Sequence, residues 1–330
     1  MDKLTKSLQG LGIPYAALIS IVFGMMILSF PIGIFIVFNS DVGEKINFEY
    51  PISGFNFFVG GLGYEVPIEF ELGDAFMVIW ILFLILFTIS FLGPRKNLLK
   101  TLTPMITDGK LPSESNYLVT MIKWFSILVL ISGIINYVQG YVGISIESPV
   151  YENELVHFFD VTVAPIIEEI GFRVLLIGLP LFAFYSHRTS VSHFFKSLWS
   201  PSDSLDVNDL RKAIILIIVV SIFFGIAHIL SGESWSSGKF SQATASGIII
   251  GWVYLRMGLV SAILIHWATN YFVFSYVYMI ADFAEITIEQ AFEHSLMLTF
   301  EMLFIALGII SITIMILNRF SFKKKEKLEI

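Results

Sequence analysis

Eight stretches of the chain stay apolar long enough to cross about 30 Å of hydrocarbon, a distance that takes about 20 helical residues. They fall near 11–38, 74–93, 117–138, 157–185, 211–230, 240–257, 259–281 and 296–318, and the sixth and seventh are separated only by Arg256-Met257-Gly258. The pattern predicts an all-α, polytopic membrane protein of about eight transmembrane helices in one bundle, since a helix satisfies its own backbone where water is absent. The first run has no small-residue cleavage signature after its apolar core and reads as a membrane helix, not a removed signal peptide.

The connectors differ from one another. Segment 39–73 is acidic, Gly-rich and aromatic, and two of its parts alternate apolar with polar: Ile46-Asn47-Phe48-Glu49-Tyr50, and Tyr64 through Leu72. Period-two alternation around a glycine-rich middle predicts a small β-hairpin at the membrane face, with an irregular plug as the alternative. Segments 94–116 and 186–210 carry Pro, Ser, Asp and basic residues and read as solvated connectors. The chain divides into N-terminal helices with that outer loop (1–156), a core (157–281), and a last helix with a basic tail (282–330).

Charge fixes an expected orientation. With a cytoplasmic N-terminus, the inner segments hold Lys3, Lys6, Arg95, Lys96, Lys100, Lys110, Arg188, Lys196, Arg211, Lys212, Arg256, Arg319, Lys323, Lys324, Lys325 and Lys327, and the outer loops hold only Lys45 and Lys239. Sixteen against two is a positive-inside bias in which every inner loop agrees, and it places both termini in the cytoplasm. Composition fits this solvent: 56% of residues are hydrophobic and only 14% charged, with mean hydropathy +0.80, against roughly 25% charged in a soluble domain. The absence of cysteine excludes disulfides, thiolate metal sites and a cysteine nucleophile. Membrane lipid is an expected partner and nucleic acid is not.

Against this apolar background, Ala164-Pro165-Ile166-Ile167-Glu168-Glu169-Ile170-Gly171-Phe172-Arg173 carries three ionisable groups within six residues. Each costs on the order of 2.5–3.5 kcal/mol near a bilayer centre, so the cluster needs a reason. On a helix adjacent residues point about 100° apart, whereas i and i+4 share a face. Glu169 is therefore the partner for Arg173, and Glu168 remains as a carboxylate suited to proton transfer. Two further helices add Phe224-x-x-x-His228 and His266-Trp267-Ala268-Thr269-Asn270. His266 and Asn270, also one turn apart, can both donate hydrogen bonds, as an oxyanion site requires. One carboxylate, two histidines and an amide on three helices make a hydrolytic constellation. The plainer alternative is that these groups only join helices to one another.

The ordered set Glu168-Glu169-x-x-x-Arg173, Phe224-x-x-x-His228 and His266-x-x-x-Asn270 resembles the three signature motifs of the CAAX prenyl endopeptidase and bacteriocin-processing (CPBP, or Abi) family of intramembrane proteases, over roughly residues 157–275. The resemblance implies peptide-bond hydrolysis within the membrane. In the prenyl-protein branch this removes the last three residues after a prenylated cysteine, so a peptide or prenylated protein is the expected substrate. It further implies that Glu168 with His228 activates the attacking water, that His266 and Asn270 stabilise the oxyanion, and that Glu169, Arg173 and Phe224 support the site.

The family is often labelled a metalloprotease, and Glu168, His228 and His266 are acceptable zinc ligands by type. The chain nevertheless has no His-Glu-x-x-His and no identifiable carboxylate to orient such ligands, so a glutamate-dependent mechanism without a metal or other cofactor is expected, with zinc as the alternative. The Gly-x-Ser-x-Gly elbow and the intramembrane serine and aspartyl patterns are absent. A transporter or channel using the same Glu, Arg and His residues is the competing class, and the lack of inverted-repeat symmetry speaks against it. Glu301, Asn136, Gln139, Lys123, His157 and Asp160 read as interhelical or interfacial residues, and His187, His193 and His294 as solvated loop residues. One tension remains within the pattern. On the expected boundaries His228 and His266 lie about 15 Å apart along the membrane normal, so a shared site requires staggered or tilted helices, or boundaries moved by a turn or two.

Overall fold

The computed structural model describes residues 3–59, 62–93, 96–111, 116–146, 153–188, 190–230 and 236–326. Arg95 and Lys327 of the charge count, and Gly60 and Gly61 of the outer loop, lie outside these residues. Helix α1 (Lys3–Asn39) is followed by four short strands, β1 (Pro51–Ile52), β2 (Phe55–Val59), β3 (Leu62–Val66) and β4 (Phe70–Glu71). Then come α2 (Leu72–Leu92), α3 (Leu98–Asp108) and α4 (Tyr117–Tyr141). Next, α5 (Glu154–Glu168), a π-helical stretch Glu169–Gly178 and α6 (Leu179–Tyr185) run as one continuous helix. Short helices α7 (Val191–Trp199) and α8 (Pro201–Ser204) lead to α9 (Leu210–Leu230) and α10 (Lys239–Met257). A second continuous helix joins α11 (Leu259–Trp267), a π-helical stretch Ala268–Phe272 and α12 (Val273–Ala284), and the chain closes with α13 (Ile288–Phe292) and α14 (Ser295–Glu326).

Six described helices are long and apolar enough to cross a membrane: Lys6–Asn39, Leu72–Leu92, Tyr117–Tyr141, Leu210–Leu230, Leu259–Ala284 and Ser295–Phe320. Length and composition thus support six of the eight expected spans. The remaining two, at 154–185 and 239–257, are helical but carry more polar residues, among them Glu168, Glu169 and Arg173 in the first and Lys239, Gln242 and Ser246 in the second. The boundary between α10 and α11 falls at Gly258, whose φ of +83° suits glycine and where a β-carbon would meet the Trp199 carbonyl at 2.6 Å.

Helices α9 and α10 form a hairpin packed through small residues. A β-carbon on Gly225 would collide with Thr244 Oγ1 and the Phe240 carbonyl, one on Gly247 would press on Ser221, and one on Gly251 on Ile217. Small residues let backbones approach where lipid offers no hydrophobic drive to associate. On the opposite side of the site Trp267, fully buried, stacks with Phe30 of α1 and meets Phe87 of α2 edge-on at 4.8 Å. The residue after His266 is therefore fixed in an aromatic cluster.

Segment 39–73 does form paired strands, at shifted positions. β2 pairs antiparallel with β3 (Phe55 opposite Val66), and β1 pairs with β4 (Pro51 opposite Glu71). The C-terminal half of the expected hairpin is recovered, but 46–50 contributes no strand and instead turns, with the Tyr50 N–H donating to the Asn47 carbonyl at 3.1 Å, since alternation alone does not set a pairing register. The segments 94–116 and 186–210 are also more than connectors. They contain the helices α3 and α7, and α3 docks on α1, burying Leu98, Leu102 and Met105.

Candidate active site

Glu168 ends α5 and Glu169 begins the π-helical stretch, so the change of helix type falls between the two carboxylates. Pro165 and Pro180 bracket this region, and each removes a backbone donor that an unbroken α-helix would use. A π stretch of 10 residues is far longer than the usual single turn, and such bulges recur at functional sites. The second π stretch, Ala268–Phe272, contains Asn270.

Glu169 and Arg173 form the expected i,i+4 ion pair, with Arg173 Nε 3.0 Å from Glu169 Oε2 and the side chains 0% and 1% exposed. The contact is an ion pair and not an aligned hydrogen bond, since neither atom has a partner that meets hydrogen-bond geometry. Glu169 has a second partner that helical spacing did not predict. His266 Nδ1 lies 2.8 Å from Glu169 Oε1, across from α11. A carboxylate accepts, so Nδ1 carries a proton and Nε2 points the other way, toward Glu168 Oε2 at 3.9 Å. Glu168 is 24% exposed, whereas Glu169 is sealed off. The two adjacent carboxylates therefore occupy different surroundings on either side of one imidazole.

His228 is oriented by its own helix. Its Nδ1 lies 2.9 Å from the Phe224 carbonyl, which only accepts, so Nδ1 is the protonated nitrogen and Nε2 is left for other partners. Phe224 is the hinge of the arrangement. Its ring meets His228 edge-on at 4.5 Å, stands 6.2 Å from the ring of His266 and packs 4.8 Å from Phe172, while the Arg173 guanidinium sits over it at 4.6 Å. Both histidines thus contact one phenyl ring. Packed around that one ring, the two histidines lie closer together than the roughly 15 Å expected from the helix boundaries.

A cavity of about 1050 Å³ opens onto this group. Glu168, His228, His266, Thr269 and Asn270 line it, and Phe172 and Phe224 form part of its wall. Glu169 and Arg173 do not line it and lie behind. The Thr269 hydroxyl donates to the His266 carbonyl at 2.8 Å and approaches Asn270 Oδ1 at 3.3 Å, and the Asn270 side chain also carries an amide nitrogen able to donate. The cavity also takes in Asp160, Asn136 and Glu301, which sequence reasoning assigned to interfaces, and Lys239, which it assigned to a loop. Tyr50 through Gly54, leading into β2, form part of its rim. By contrast His157 is a packing residue, buried and 2.8 Å from the Tyr278 hydroxyl.

Among the described residues, no group of three or more His, Asp or Glu side chains is arranged to hold a metal ion. Glu168, His228 and His266, the zinc set allowed by residue type, surround one cavity without forming a ligand cluster.

No curated protein and no solved structure matches the chain. A family model described as type II CAAX prenyl endopeptidase Rce1-like matches residues 153–272, the stretch that contains all three motifs. Over that stretch, about a third of the chain, the protein is similar to this family of CAAX-type endopeptidases.

Proposed function

We propose that the protein is an intramembrane endopeptidase that hydrolyses one peptide bond near the C-terminus of a prenylated CAAX-type substrate, releasing the terminal tripeptide. The observation that carries this reading is the pair of contacts made by His266, 2.8 Å to buried Glu169 on one nitrogen and 3.9 Å to cavity-facing Glu168 on the other. It supports reading buried Glu169 as the supporting carboxylate and cavity-lining Glu168 as the reacting one.

In the proposed reaction a water sits between the Glu168 carboxylate and His228 Nε2. Glu168 takes a proton from the water as its oxygen attacks the scissile carbonyl carbon, and His228 holds the water in line. The carbonyl oxygen becomes an oxyanion that accepts from His266 Nε2–H and from the Asn270 amide. His266 donates from Nε2 while Nδ1 donates to Glu169, so it acts as an imidazolium, and its charge with that of Arg173 balances the two carboxylates. Collapse of the tetrahedral intermediate breaks the C–N bond, and the proton held by Glu168 passes to the departing amine. Water and one peptide bond become a carboxylate end and an amine end. Burial of Glu169 and Arg173 keeps this framework rigid at no reorganisation cost during the reaction.

The direct test is purified full-length protein incubated with an S-farnesyl peptide ending in three residues after the cysteine, with products read by mass spectrometry. Release of the intact tripeptide, unchanged by chelator and by the absence of stoichiometric zinc on elemental analysis, is the expected result. Cleavage elsewhere or none overturns the substrate assignment, and loss of zinc together with activity overturns the metal-free mechanism.

A further inference from the structure

We propose that Lys239 seats the C-terminal carboxylate of the substrate, so that the cavity recognises a chain end and not an internal segment. The inference rests on the hydrolytic reading above and names how the same site selects its substrate.

Three observations carry it. First, Lys239 is the only lysine or arginine lining the cavity among the described residues, while Asp160, Glu168 and Glu301 line it as carboxylates. His266 is committed to the oxyanion in the proposed reaction, so among the described lining residues Lys239 is the cation left to attract an anionic chain end, while the three carboxylates repel it. The acidic wall turns that cation into a position marker, and it disfavours binding of an unpaired terminal carboxylate in any other register.

Second, the position of Lys239 is fixed from outside its own helix. It opens α10 directly after Gly238, whose carbonyl accepts from Gln139 Nε2 of α4 at 2.9 Å, and Gln139 is 9% exposed. The Ser236 hydroxyl donates to the Ser145 carbonyl at 3.0 Å just before it. A β-carbon on Gly238 would strike that same Ser145 carbonyl. The start of α10 is thus pinned against the end of α4, which fixes the backbone that carries Lys239.

Third, Gln242, Ala243, Ser246 and Ile250 continue along the same face of α10 and line the cavity after Lys239. The spacing i, i+3, i+4, i+7 and i+11 makes one stripe, in which an amide and a hydroxyl can meet the backbone of an extended peptide. Three extended residues span about 10 Å, the reach the tripeptide would have between the scissile bond and Lys239.

A purely structural role makes a different prediction. If Lys239 serves only as a counter-ion to Glu168, its removal affects every substrate alike. The test compares one S-farnesyl CAAX peptide as free acid and as C-terminal carboxamide, with kcat/KM measured for full-length wild type, Lys239→Gln and Lys239→Arg. The expected acid-to-amide ratio is about 10- to 100-fold in wild type, as a charge-assisted contact gives. It falls toward one in Lys239→Gln and is largely kept in Lys239→Arg. Because each ratio is internal to one protein sample, partial misfolding does not move it. A wild-type ratio near one, or a ratio unchanged in Lys239→Gln, overturns the carboxylate seat while tripeptide release still upholds the protease. Cleavage of neither peptide by wild type overturns both.

Discussion

His266 Nδ1 lies 2.8 Å from Glu169 Oε1, and the other oxygen of that carboxylate lies 3.0 Å from Arg173 Nε, so one buried group joins a cation on its own helix to a histidine on another. Removing a partner from such a buried pair strands the other charge, at a cost of about 3–5 kcal/mol. Glu169→Gln should therefore destabilise the protein by that order as well as impair activity. Glu169→Gln combined with Arg173→Gln should cost less than the two single changes added together, because neither member of that pair is then left as an ion without the other. A double-mutant cycle on unfolding in detergent measures this, with an expected coupling of about 1–3 kcal/mol. Additive losses would show that the pair contributes no mutual stabilisation.

Much of this was legible in the sequence, for a physical reason. A bilayer removes water as an alternative partner, so long apolar runs have to become helices, and all eight runs did. The i,i+4 rule likewise found Glu169 with Arg173. What it missed depends on rotation about helix axes. In a soluble helix a polar face marks the outside, but here lipid and protein interior are both apolar, and the cavity-facing side of α4 or α14 carries no periodic signature. Asn136 and Glu301 therefore looked like isolated polar residues, and nothing local tied His266 to Glu169. Lys239 was hidden differently: charge counting reads a lysine as loop, and only the pinned start of α10 turns it into the cavity. Pro165 and Pro180 were the available signal for the π stretch between them.

The packing of α9 on α10 sets the place of His228, one turn after Gly225. Gly225→Ala puts a methyl group against the Phe240 carbonyl and the Thr244 hydroxyl, and overpacking of this kind costs about 1–3 kcal/mol. Gly10→Ala meets nothing within 4 Å and should gain up to about 1 kcal/mol of helix stability instead. Thermal melts of the two variants should move in opposite directions, and activity should fall only for Gly225→Ala. Equal shifts would remove the close-packing account.

The orientation proposed from the positive-inside bias is directly measurable, because the chain has no cysteine and any introduced thiol is the sole target. Lys45 and Lys110 are exposed on segments assigned to opposite sides. In intact cells an impermeant maleimide should label Lys45→Cys and leave Lys110→Cys unlabelled until the membrane is opened. The reverse pattern would invert the proposed topology.

The account depends above all on Glu168 being the reacting carboxylate, set apart from its buried neighbour. The decisive measurement is the single-turnover rate of Glu168→Gln on the S-farnesyl peptide, beside a melt that reports folding. Glutamine keeps the shape and removes the base, so the predicted result is a loss of about 10²–10⁴-fold in rate with the thermal transition nearly unchanged. Cleavage by Glu168→Gln at the wild-type rate would contradict the mechanism.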